Sequence, residues 1–455
     1  MSNLIPGTWI KCKLGDVVAT VRGVTFPASS KVHEPTDGYV ACLRTSHIQE
    51  KLLWNNIYYI PSSYVKGTDR LAKRNDILMS MANSSNLVGK VCIKETDQEA
   101  CFGAFLSAIR SEGVSHAYIY YFLKSSKAQQ SLRSSASQTV NIANISVAAL
   151  EQLPLPLAPL PEQTRIAAKL DELLAQMDTL KARIDTIPAL LKRFRHSVLD
   201  AAVSGRLTKE WRNGSVAKWD TLTLADIIDG KPRNGYSPKP VAYETAIKTL
   251  SLSATTSGVF KGEHFKYVDE AISRDSHLWL YPGDILIQRA NTLEYVGVSA
   301  IYDGEPMSHI YPDLMMKCRP KEGVLTEYLH MCLSSRAVRK HFRDNATGTA
   351  GNMPKINQQT VMSAPVLLAP LSEQTEIIRR VEQLFVFVDQ LEARVKAAQA
   401  RIDGLTQSIL AKAFRGELVP QDPNDEPASV LLERIKAQRA ATPKTKRGRR
   451  AATFD

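Results

Sequence analysis

The segment LPEQTRIAAKLDELLAQMD at residues 160–178 returns as LSEQTEIIRRVEQLFVFVD at residues 371–389. The offset of 211 residues holds without a gap from Pro154 to Leu207 of the first copy. Two unrelated helices would not keep one register for so long, so the similarity indicates an internal repeat. The chain therefore carries the same long segment twice, each time after a stretch of about one domain in length.

Composition predicts a folded chain of two or three domains, because 44% of its 455 residues are hydrophobic. The six cysteines include no C-x-x-C pair, which favours buried free thiols in a reducing cytoplasm over disulfides or a zinc site. Neither a signal peptide nor an apolar run near the ~20 residues of a membrane span is visible. We therefore expect a soluble cytoplasmic protein.

The formal charge of +12 and the pI near 9.3 favour a polyanionic partner such as nucleic acid. Part of this excess lies at the C-terminus, where five Lys and Arg residues occupy the seven positions from Lys444 to Arg450. Such runs are usually solvated, so we expect residues 441–455 to be a disordered basic tail. The remainder is still basic, which keeps DNA as the favoured partner.

In each copy of the repeat, apolar residues alternate steps of four and three, which is the pattern of a coiled-coil seam. Each copy ends at a glycine, Gly205 or Gly416. Pro188 predicts a kink or a split in the first helix. We expect the two helices to pair as an antiparallel coiled coil, although each could instead pack only on its own domain. The predicted pairing residues are Ile166, Leu170, Leu173, Met177, Leu180 and Ile184 of the first helix and Val381, Leu384, Val388, Leu391 and Val395 of the second.

The stretches before the two helices also repeat, but weakly. Asp76-Ile-Leu matches Asp284-Ile-Leu, and short apolar runs between turn residues predict strands, with helices such as 115–132 and 325–342. The predicted fold class is α+β (mixed α/β), with two domains alternating with two long helices as a pseudo-twofold repeat. The predicted boundaries are 1–157 for the first domain, 158–212 for the first helix, 213–368 for the second domain and 369–440 for the second helix with a C-terminal helical segment.

The polar loops of each domain are rich in residue types that pair with base edges and phosphates. In the first domain, the candidate DNA-binding residues are Arg22, Thr25, Arg44, Thr45, Asn83, Ser84, Ser85, Asn86, Gln138 and Asn141. In the second domain, they are Arg233, Asn234, Tyr236, Thr255, Arg289, Asn291, Thr292, Thr347, Asn352 and Lys355. The alternative is that these are ordinary surface loops, which are polar in any protein.

The sequence lacks the motifs of enzymes that modify or cleave DNA. The string beginning at Asn352, Asn-Met-Pro-Lys, is the nearest to the [N/D]-P-P-aromatic loop of adenine methyltransferases, but it lacks the second proline and the aromatic ring. There is no G-x-x-x-x-G-K-[S/T] phosphate loop and no H-E-x-x-H or other metal-ligand spacing of histidines. We therefore expect no catalytic residue, no metal site and no cofactor in this chain.

Two variable α/β domains, each followed by a near-identical long helix, resemble the specificity subunit of type I restriction-modification systems. The most specific pieces are LAPLPEQTRIAAKLDELLAQMD, LKRFRHSVLDAAVSGRLTKEWR, EQTEIIRRVEQLF and LTQSILAKAFRGEL, and the last two are similar to the enterobacterial type IA branch. The resemblance covers essentially the whole chain. It implies a non-catalytic subunit in which each domain reads one half of a bipartite, asymmetric DNA target and the helices set the spacing.

The same resemblance implies the partners of the chain. These are double-stranded DNA, two methyltransferase subunits that bind S-adenosylmethionine and dock on the helices, and two motor-nuclease subunits that use ATP and Mg²⁺. The alternative is a tandem-domain coiled-coil scaffold for protein partners, which predicts only weak, salt-sensitive DNA binding without sequence preference. A self-sufficient DNA methyltransferase is disfavoured by the missing cofactor and catalytic loops.

Overall fold

The computed structural model describes residues 5–138, 142–214, 218–348 and 353–441. The chain divides into two compact units. Unit 1 comprises Met1–Ile184 with Ala398–Asp455, and unit 2 comprises Asp185–Ala397. Each unit therefore combines one predicted domain with part of both long helices, rather than following the linear order of domains and helices.

Unit 1 contains antiparallel and mixed sheets with short helices on one side. Its strands are β1 (Ile10–Lys13), β2 (Val18–Arg22), β3 (Tyr39–Leu43), β4 (Tyr58–Pro61), β5 (Ile77–Ser80), β6 (Ala82–Asn83), β7 (Val91–Ile93), β8 (Cys101–Phe102), β9 (Leu106–Ser111), β10 (Ser137–Gln138), β11 (Ala143–Asn144) and β12 (Pro154–Leu157). Its short helices are α1 (His116–Lys124), α2 (Ser126–Ser134) and α3 (Val147–Glu151). The first long helix, α4 (Leu160–Val203), begins in unit 1 and ends in unit 2.

Unit 2 is built in the same way. Its strands are β13 (Asp220–Thr223), β14 (Arg233–Asn234), β15 (Pro240–Val241), β16 (Ile247–Leu250), β17 (Phe265–Val268), β18 (Ile285–Gln288), β19 (Ser299–Ile301), β20 (His309–Ile310), β21 (Met315–Cys318) and β22 (Pro365–Leu368). Its short helices are α5 (Leu224–Ile227), α6 (Thr326–Ser334), α7 (Arg336–Asp344) and α8 (Gln358–Met362). The second long helix is α9 (Leu371–Ala413), and α10 (Ala428–Ala441) belongs to unit 1.

Several sheets of the two units correspond in strand order and in pairing. The antiparallel order β2-β9-β5-β7 in unit 1 matches β14-β21-β18-β19 in unit 2, and the pair β1-β12 matches β13-β22. A parallel pairing of β3 with β8 matches that of β16 with β20. The structure confirms the predicted mixed fold and the internal repeat, including in the domains, where the sequence similarity is weak.

The predicted helices 115–132 and 325–342 are wrong as single helices. Each is two helices that meet at a serine, Ser125 between α1 and α2 and Ser335 between α6 and α7. The serine backbone is extended, with ψ of 144° and 153°, and its hydroxyl accepts a hydrogen bond from the first turn of the second helix. The chain breaks there because serine caps a new helix better than it continues an old one.

Within each unit, a segment of α4 runs antiparallel to a segment of α9. In unit 1, Ile166 and Leu170 of α4 share a core with Ile409 and Leu410 of α9, and Lys181 bonds to Asp403 at 2.9 Å. Residue numbers therefore increase along α4 while they decrease along the facing part of α9, as in an antiparallel pair.

The same relation holds in unit 2. Val198 and Ala202 of α4 pack with Val381 of α9, while Arg195 forms ion pairs with Asp389 and Glu392. Each unit therefore confirms the antiparallel pairing, and the two units use different stretches of the same two helices.

The predicted seam is buried to different degrees along its length. Ile166, Leu170, Val381 and Val388 are buried, whereas Leu180 remains 44% exposed. The remaining seam residues, Leu173, Met177, Ile184, Leu384, Leu391 and Val395, are half-buried. Burial therefore varies along the seam and does not follow from the heptad spacing alone.

Pro188 lies inside α4, which continues through it without a break. Of the two predicted outcomes, a split of the helix is therefore excluded. Both long helices end where predicted, since Gly205 and Gly416 follow them with φ of +74° and +77°, a conformation that favours glycine.

The repeated Glu-Gln pair fastens each long helix to its domain. In unit 1, the Trp9 indole N–H donates to Glu162 at 2.9 Å, and in unit 2 the Trp219 indole N–H donates to Glu373 at 2.9 Å. Both carboxylates are almost fully buried. A favourable charge in the first helical turn is therefore only part of their role.

The neighbouring glutamines act in the same way. The side-chain oxygen of Gln163 accepts from the Ser115 amide at 2.9 Å, and that of Gln374 accepts from the Leu325 amide at 2.8 Å. Both bonds reach the N-terminus of a short helix, α1 in unit 1 and α6 in unit 2, so each long helix makes the same connection to its domain.

The repeated aspartates anchor the central strands. Asp76 precedes β5 and binds Arg110 of β9, whose Nη2 lies 2.9 Å from the carboxylate. Asp284 precedes β18 and binds Lys317 at 3.4 Å and also Arg319. These buried ion pairs fix the strands whose far ends lead into the polar loops.

Candidate nucleic-acid interface

The polar loops of unit 1 converge on one short turn, residues 102–106, here called hub turn 1. The backbone amides of Gly23, Val24 and Met81 donate to carbonyls of this turn at 3.1, 2.7 and 2.8 Å. Two loops that are far apart in sequence, one after β2 and one after β5, are therefore attached to the same five residues. Because these bonds use only the backbone, they do not constrain the exposed side chains of the turn, Ala104 and Phe105.

A third loop of unit 1 joins through the parallel strand pair. The Gly103 amide donates to the Leu43 carbonyl at 2.9 Å, so Arg44 and Thr45 follow directly beside hub turn 1. The Arg44 guanidinium donates to the Asn56 carbonyl at 3.0 Å and lies 5.5 Å from the centre of the Tyr58 ring. Arg44 is thus held over an aromatic face at this edge.

A fourth loop of unit 1 enters through the small sheet β10-β11-β6. Gln138 pairs with Ala143, which pairs with Asn83, so both candidate residues lie on one line across three strands. The Asn83 oxygen accepts from the Ser84 amide at 2.8 Å, and its amide group donates to Ser80 at 3.4 Å. Asn83 therefore shapes its loop and keeps one N–H for a ligand.

Unit 2 repeats this arrangement around residues 311–315, here called hub turn 2. The amides of Gly235, Tyr236 and Arg289 donate to its carbonyls at 3.1, 2.9 and 2.8 Å. These three amides occupy the positions equivalent to Gly23, Val24 and Met81 of unit 1. The two units therefore present the same framework of loops with different side chains.

A hairpin also reaches this edge of unit 2. Lys355 pairs with both Ala290 and Thr347, and the Asn291 amide donates to the Pro354 carbonyl at 3.2 Å. Arg289, Asn291, Thr347 and Lys355 are thereby brought together.

The loops after β2 and β14 need glycine where they cross hub turns 1 and 2. A Cβ atom on Gly23 would overlap the Gly103 carbonyl, and one on Gly235 would overlap the carbonyls of Tyr311 and Pro312. Backbone at such a crossing cannot be moved aside as a flexible side chain can. The close crossing is therefore part of how each unit assembles its edge.

The candidate residues differ in their access to solvent. The exposed ones are Arg22, Thr25, Arg44, Ser84, Ser85 and Asn86 in unit 1 and Arg233, Tyr236, Thr292, Thr347 and Lys355 in unit 2. Thr45, Asn83, Asn234, Arg289 and Asn291 are half-buried. For Gln138 only the backbone position is described, and the predictions for Asn141 and Asn352 lie outside the described residues.

The prediction that Thr255 is a DNA-binding residue is wrong. Its side chain is fully buried, and its hydroxyl accepts from the Gln288 amide group at 3.0 Å. Gln288 also donates to the Leu252 carbonyl at 2.8 Å and accepts from Asn291 at 2.6 Å. The polar character of this loop serves an internal network, because a buried amide must find hydrogen-bond partners within the protein.

Sequence reasoning missed several residues of the two edges. Phe105 of hub turn 1 is 62% exposed, although a phenylalanine in an apolar run is usually taken for core. Asp313 of hub turn 2 is exposed and hydrogen-bonds to Ser237. Gln288 could have been noticed as the polar end of an apolar strand, beside the repeated Ala-Asn, whereas nothing local marked Phe105 or Asp313.

The titratable groups near these edges mostly serve local structure. Burial and the nearby Arg44 lower the pKa of His47, and its Nδ1 accepts from the Arg44 amide at 3.1 Å. A hydrogen bond to Glu270 raises the pKa of Tyr236. Both groups are therefore neutral at pH 7, and Tyr236 presents an apolar ring at the edge of unit 2.

The described residues contain neither a helix suited to a membrane nor a cluster suited to a metal ion. No helix there is both long and apolar enough to cross a bilayer. Within the same part of the chain, no three His, Cys, Asp or Glu side chains lie together as ligands of a metal ion would.

The chain is similar to known proteins over its whole length. The family signature described as type I restriction modification DNA specificity domain matches residues 6–189. The chain is 36% identical to the EcoKI specificity subunit of Escherichia coli K12, over 96% of this chain and 97% of the relative. It is 33% identical to the StySPI specificity subunit of Salmonella potsdam, over 98% and 99%.

Two solved structures share the fold. A chain from a study of assembly and conformational transition in the type I R-M system has a TM-score of 0.64 and 15% identity, over 91% of this chain and all of that one. The HsdS subunit from Thermoanaerobacter tengcongensis has a TM-score of 0.53 and 17% identity, over 91% of this chain and 98% of that one.

Proposed function

Because the chain belongs to the family of type I restriction-modification specificity subunits, we propose that units 1 and 2 each read one half of a bipartite DNA target. The chain is the non-catalytic subunit that recognises DNA for its complex. Since the side chains of the two edges differ, the two half-sites differ in sequence.

The observation that carries this proposal is the pairing of one framework with two sets of side chains. Equivalent backbone hydrogen bonds hold the loops to hub turns 1 and 2, yet the exposed Ala104 stands where unit 2 has the exposed Asp313. A framework kept constant while its exposed side chains diverge is what two related readers of different sequences require. A scaffold for protein partners would not need equivalent polar loops at equivalent edges.

Charge assigns the exposed residues to two roles. Arg22, Arg233 and Lys355 are exposed cations that form no ion pair among the described residues, and they would contact phosphates. Polar and aromatic side chains beside them, such as Thr25 and Tyr236, would contact base edges in the major groove. Phosphate contacts fix the register, and base contacts select the sequence.

The paired helices would set the distance between half-sites and dock the methyltransferase subunits. Supporting this, exposed apolar side chains recur at equivalent positions of the repeat: Leu160 matches Leu371, and Phe194 matches Leu405. Each unit carries one member of each pair. Two equivalent apolar sites fit two copies of one partner.

In this proposal, chemistry takes place on the partners. Two methyltransferase subunits would bind S-adenosylmethionine, and two motor-nuclease subunits would use ATP and Mg²⁺. The target adenine would leave the helical stack to enter a methyltransferase pocket, because its amino group cannot react inside the duplex. The complex would act in the cytoplasm, where it protects the host DNA by methylation and restricts foreign DNA.

The test is to sequence the methylated bases of cells that carry this chain and its methyltransferase, with and without the chain. We expect a split adenine-methylated motif that depends on the chain. Replacing residues 213–368 with the equivalent domain of a relative should change one half of that motif and leave the other. A hybrid that changed both halves would contradict separate reading, and sequence-independent DNA binding by the complex would favour the scaffold.

The spacing role has a separate test. Inserting one helical turn, about four residues, into each long helix should alter the number of base pairs between the half-sites and leave the half-sites themselves unchanged. An unaltered spacing would refute this role while leaving half-site reading intact.

A further inference from the structure

We propose that Asp313 reads a base directly, accepting a hydrogen bond from an exocyclic amino group in the half-site of unit 2. The amino group would be N4 of cytosine or N6 of adenine, the donors that the major groove presents. This inference rests on the function proposed above and identifies one of its specificity-determining residues.

The position of Asp313 is fixed by the backbone around it. Within hub turn 2 the Met315 amide donates to the Pro312 carbonyl at 2.9 Å, and the Arg289 amide donates to the Leu314 carbonyl at 2.8 Å. The side chain is exposed at the same edge as the candidate phosphate and base contacts. Asp313 is therefore presented on a rigid turn, as a base-reading group must be.

Ser237 orients the carboxylate. Its hydroxyl donates to Oδ1 of Asp313 and accepts from the Asp313 amide at 3.1 Å. Among the described residues, Oδ2 has no hydrogen-bond donor, which leaves one carboxylate oxygen available to a ligand. An ionised carboxylate only accepts, so its ligand must donate.

Among the described residues, the carboxylate of Asp313 forms no ion pair with a cation. Arg289 directs its Nη1 to the Asp313 backbone carbonyl at 3.4 Å rather than to the carboxylate. An unpaired negative charge at this edge repels phosphates and weakens general DNA binding. It also disfavours the acceptors of guanine and thymine, so it contributes selectivity rather than affinity.

Unit 1 supplies an internal control for a merely structural role. The equivalent hydrogen bonds place Ala104 of hub turn 1 at the position of Asp313, and Thr25 at that of Ser237. Hub turn 1 adopts the same fold without a carboxylate. The carboxylate of Asp313 is therefore not needed to form the turn, which leaves recognition as its role.

The experiment compares the methylated motifs produced by the full chain with its methyltransferase in three forms: wild type, Asp313→Asn and the control Glu263→Gln. Glu263 is another exposed acid of unit 2, with its side chain 69% exposed. We expect Asp313→Asn to relax or switch one base pair in one half-site, where discrimination of roughly 5- to 150-fold would be lost. The other half-site and the motif of the control should be unchanged.

A second measurement does not depend on the folding of a variant. The wild-type complex is titrated with duplexes in which single amino groups of the half-site are removed, using purine for adenine and pyrimidin-2-one for cytosine. Removal of one of these amino groups should weaken binding by a factor similar to the discrimination lost with Asp313→Asn. The base that carries this amino group shows whether Asp313 reads cytosine or adenine. Insensitivity at every amino position of that half-site, or an unchanged motif with Asp313→Asn, would overturn the inference. If the wild-type chain with its methyltransferase produced no methylated DNA motif, the proposed function itself would be refuted.

Discussion

Replacing Arg110 with alanine should destabilise the sheet of unit 1 that leads into hub turn 1. Arg110 donates to Asp76 from Nε at 2.9 and 3.2 Å and from Nη2 at 2.9 Å, and the Asp76 side chain is only 4% exposed. The truncation leaves a buried carboxylate with its backbone bond from Lys73 at 2.8 Å. Removing one partner of a buried pair costs about 3–5 kcal/mol.

The matched control is Arg74→Ala. Arg74 also pairs with an aspartate of unit 1, Asp97, at 2.9 Å, but the two side chains are 61% and 75% exposed. Exposed pairs contribute at most about 1 kcal/mol. The chain has two units, so a single unfolding transition is not a safe measure of either.

Hydrogen–deuterium exchange of peptides from β5 and β9 reports the loss locally. With Arg110→Ala, these amides should exchange roughly 100- to 5000-fold faster, while peptides of unit 2 stay unchanged. Equal exchange in the Arg110 and Arg74 variants would show that burial does not govern the strength of this pair, and the reasoning would fail.

Three further predictions follow from the same geometry. Gly235→Ala should abolish reading of one half-site, because its Cβ overlaps backbone, whereas Gly262→Ala, whose Cβ makes ordinary contact, should leave the methylated motif intact. Lys355→Ala should weaken specific and non-specific DNA binding alike and reduce the salt slope by about 1, as measured by anisotropy across a salt series. Burial raises the pKa of Glu162 above its usual 4.5, so the stability it contributes is present below that pH and lost as pH rises through the raised value. Thermal unfolding of Glu162→Gln should lack this pH dependence, and an unchanged dependence would assign it to another group.

The sequence predicted best what depends on spacing along one element. The steps of four and three marked Ile166 and Val381 as seam residues, and both are buried as predicted. Leu180 follows the same pattern but stays 44% exposed. Heptad spacing identifies the face of a helix, whereas the neighbours of that face are set by tertiary structure.

The candidate interface was predicted in outline only. Polar loops were found from composition, but their convergence on hub turns 1 and 2 rests on backbone bonds between residues as distant as Gly23 and Leu106. No residue type signals such a bond. Thr255 shows the opposite error, since a polar residue in a polar loop is buried when a partner such as Gln288 satisfies its hydroxyl.

The hub turns have a consequence for how new specificities arise. Their hydrogen bonds to the loops are made by backbone amides and carbonyls, which substitutions of the exposed side chains of the turns, other than to proline, preserve. Mutation can therefore explore exposed positions such as Ala104 and Asp313 without disturbing the assembly of the edge. A single substitution at such a position changes the chemistry that the edge presents and leaves in place the backbone framework that holds it.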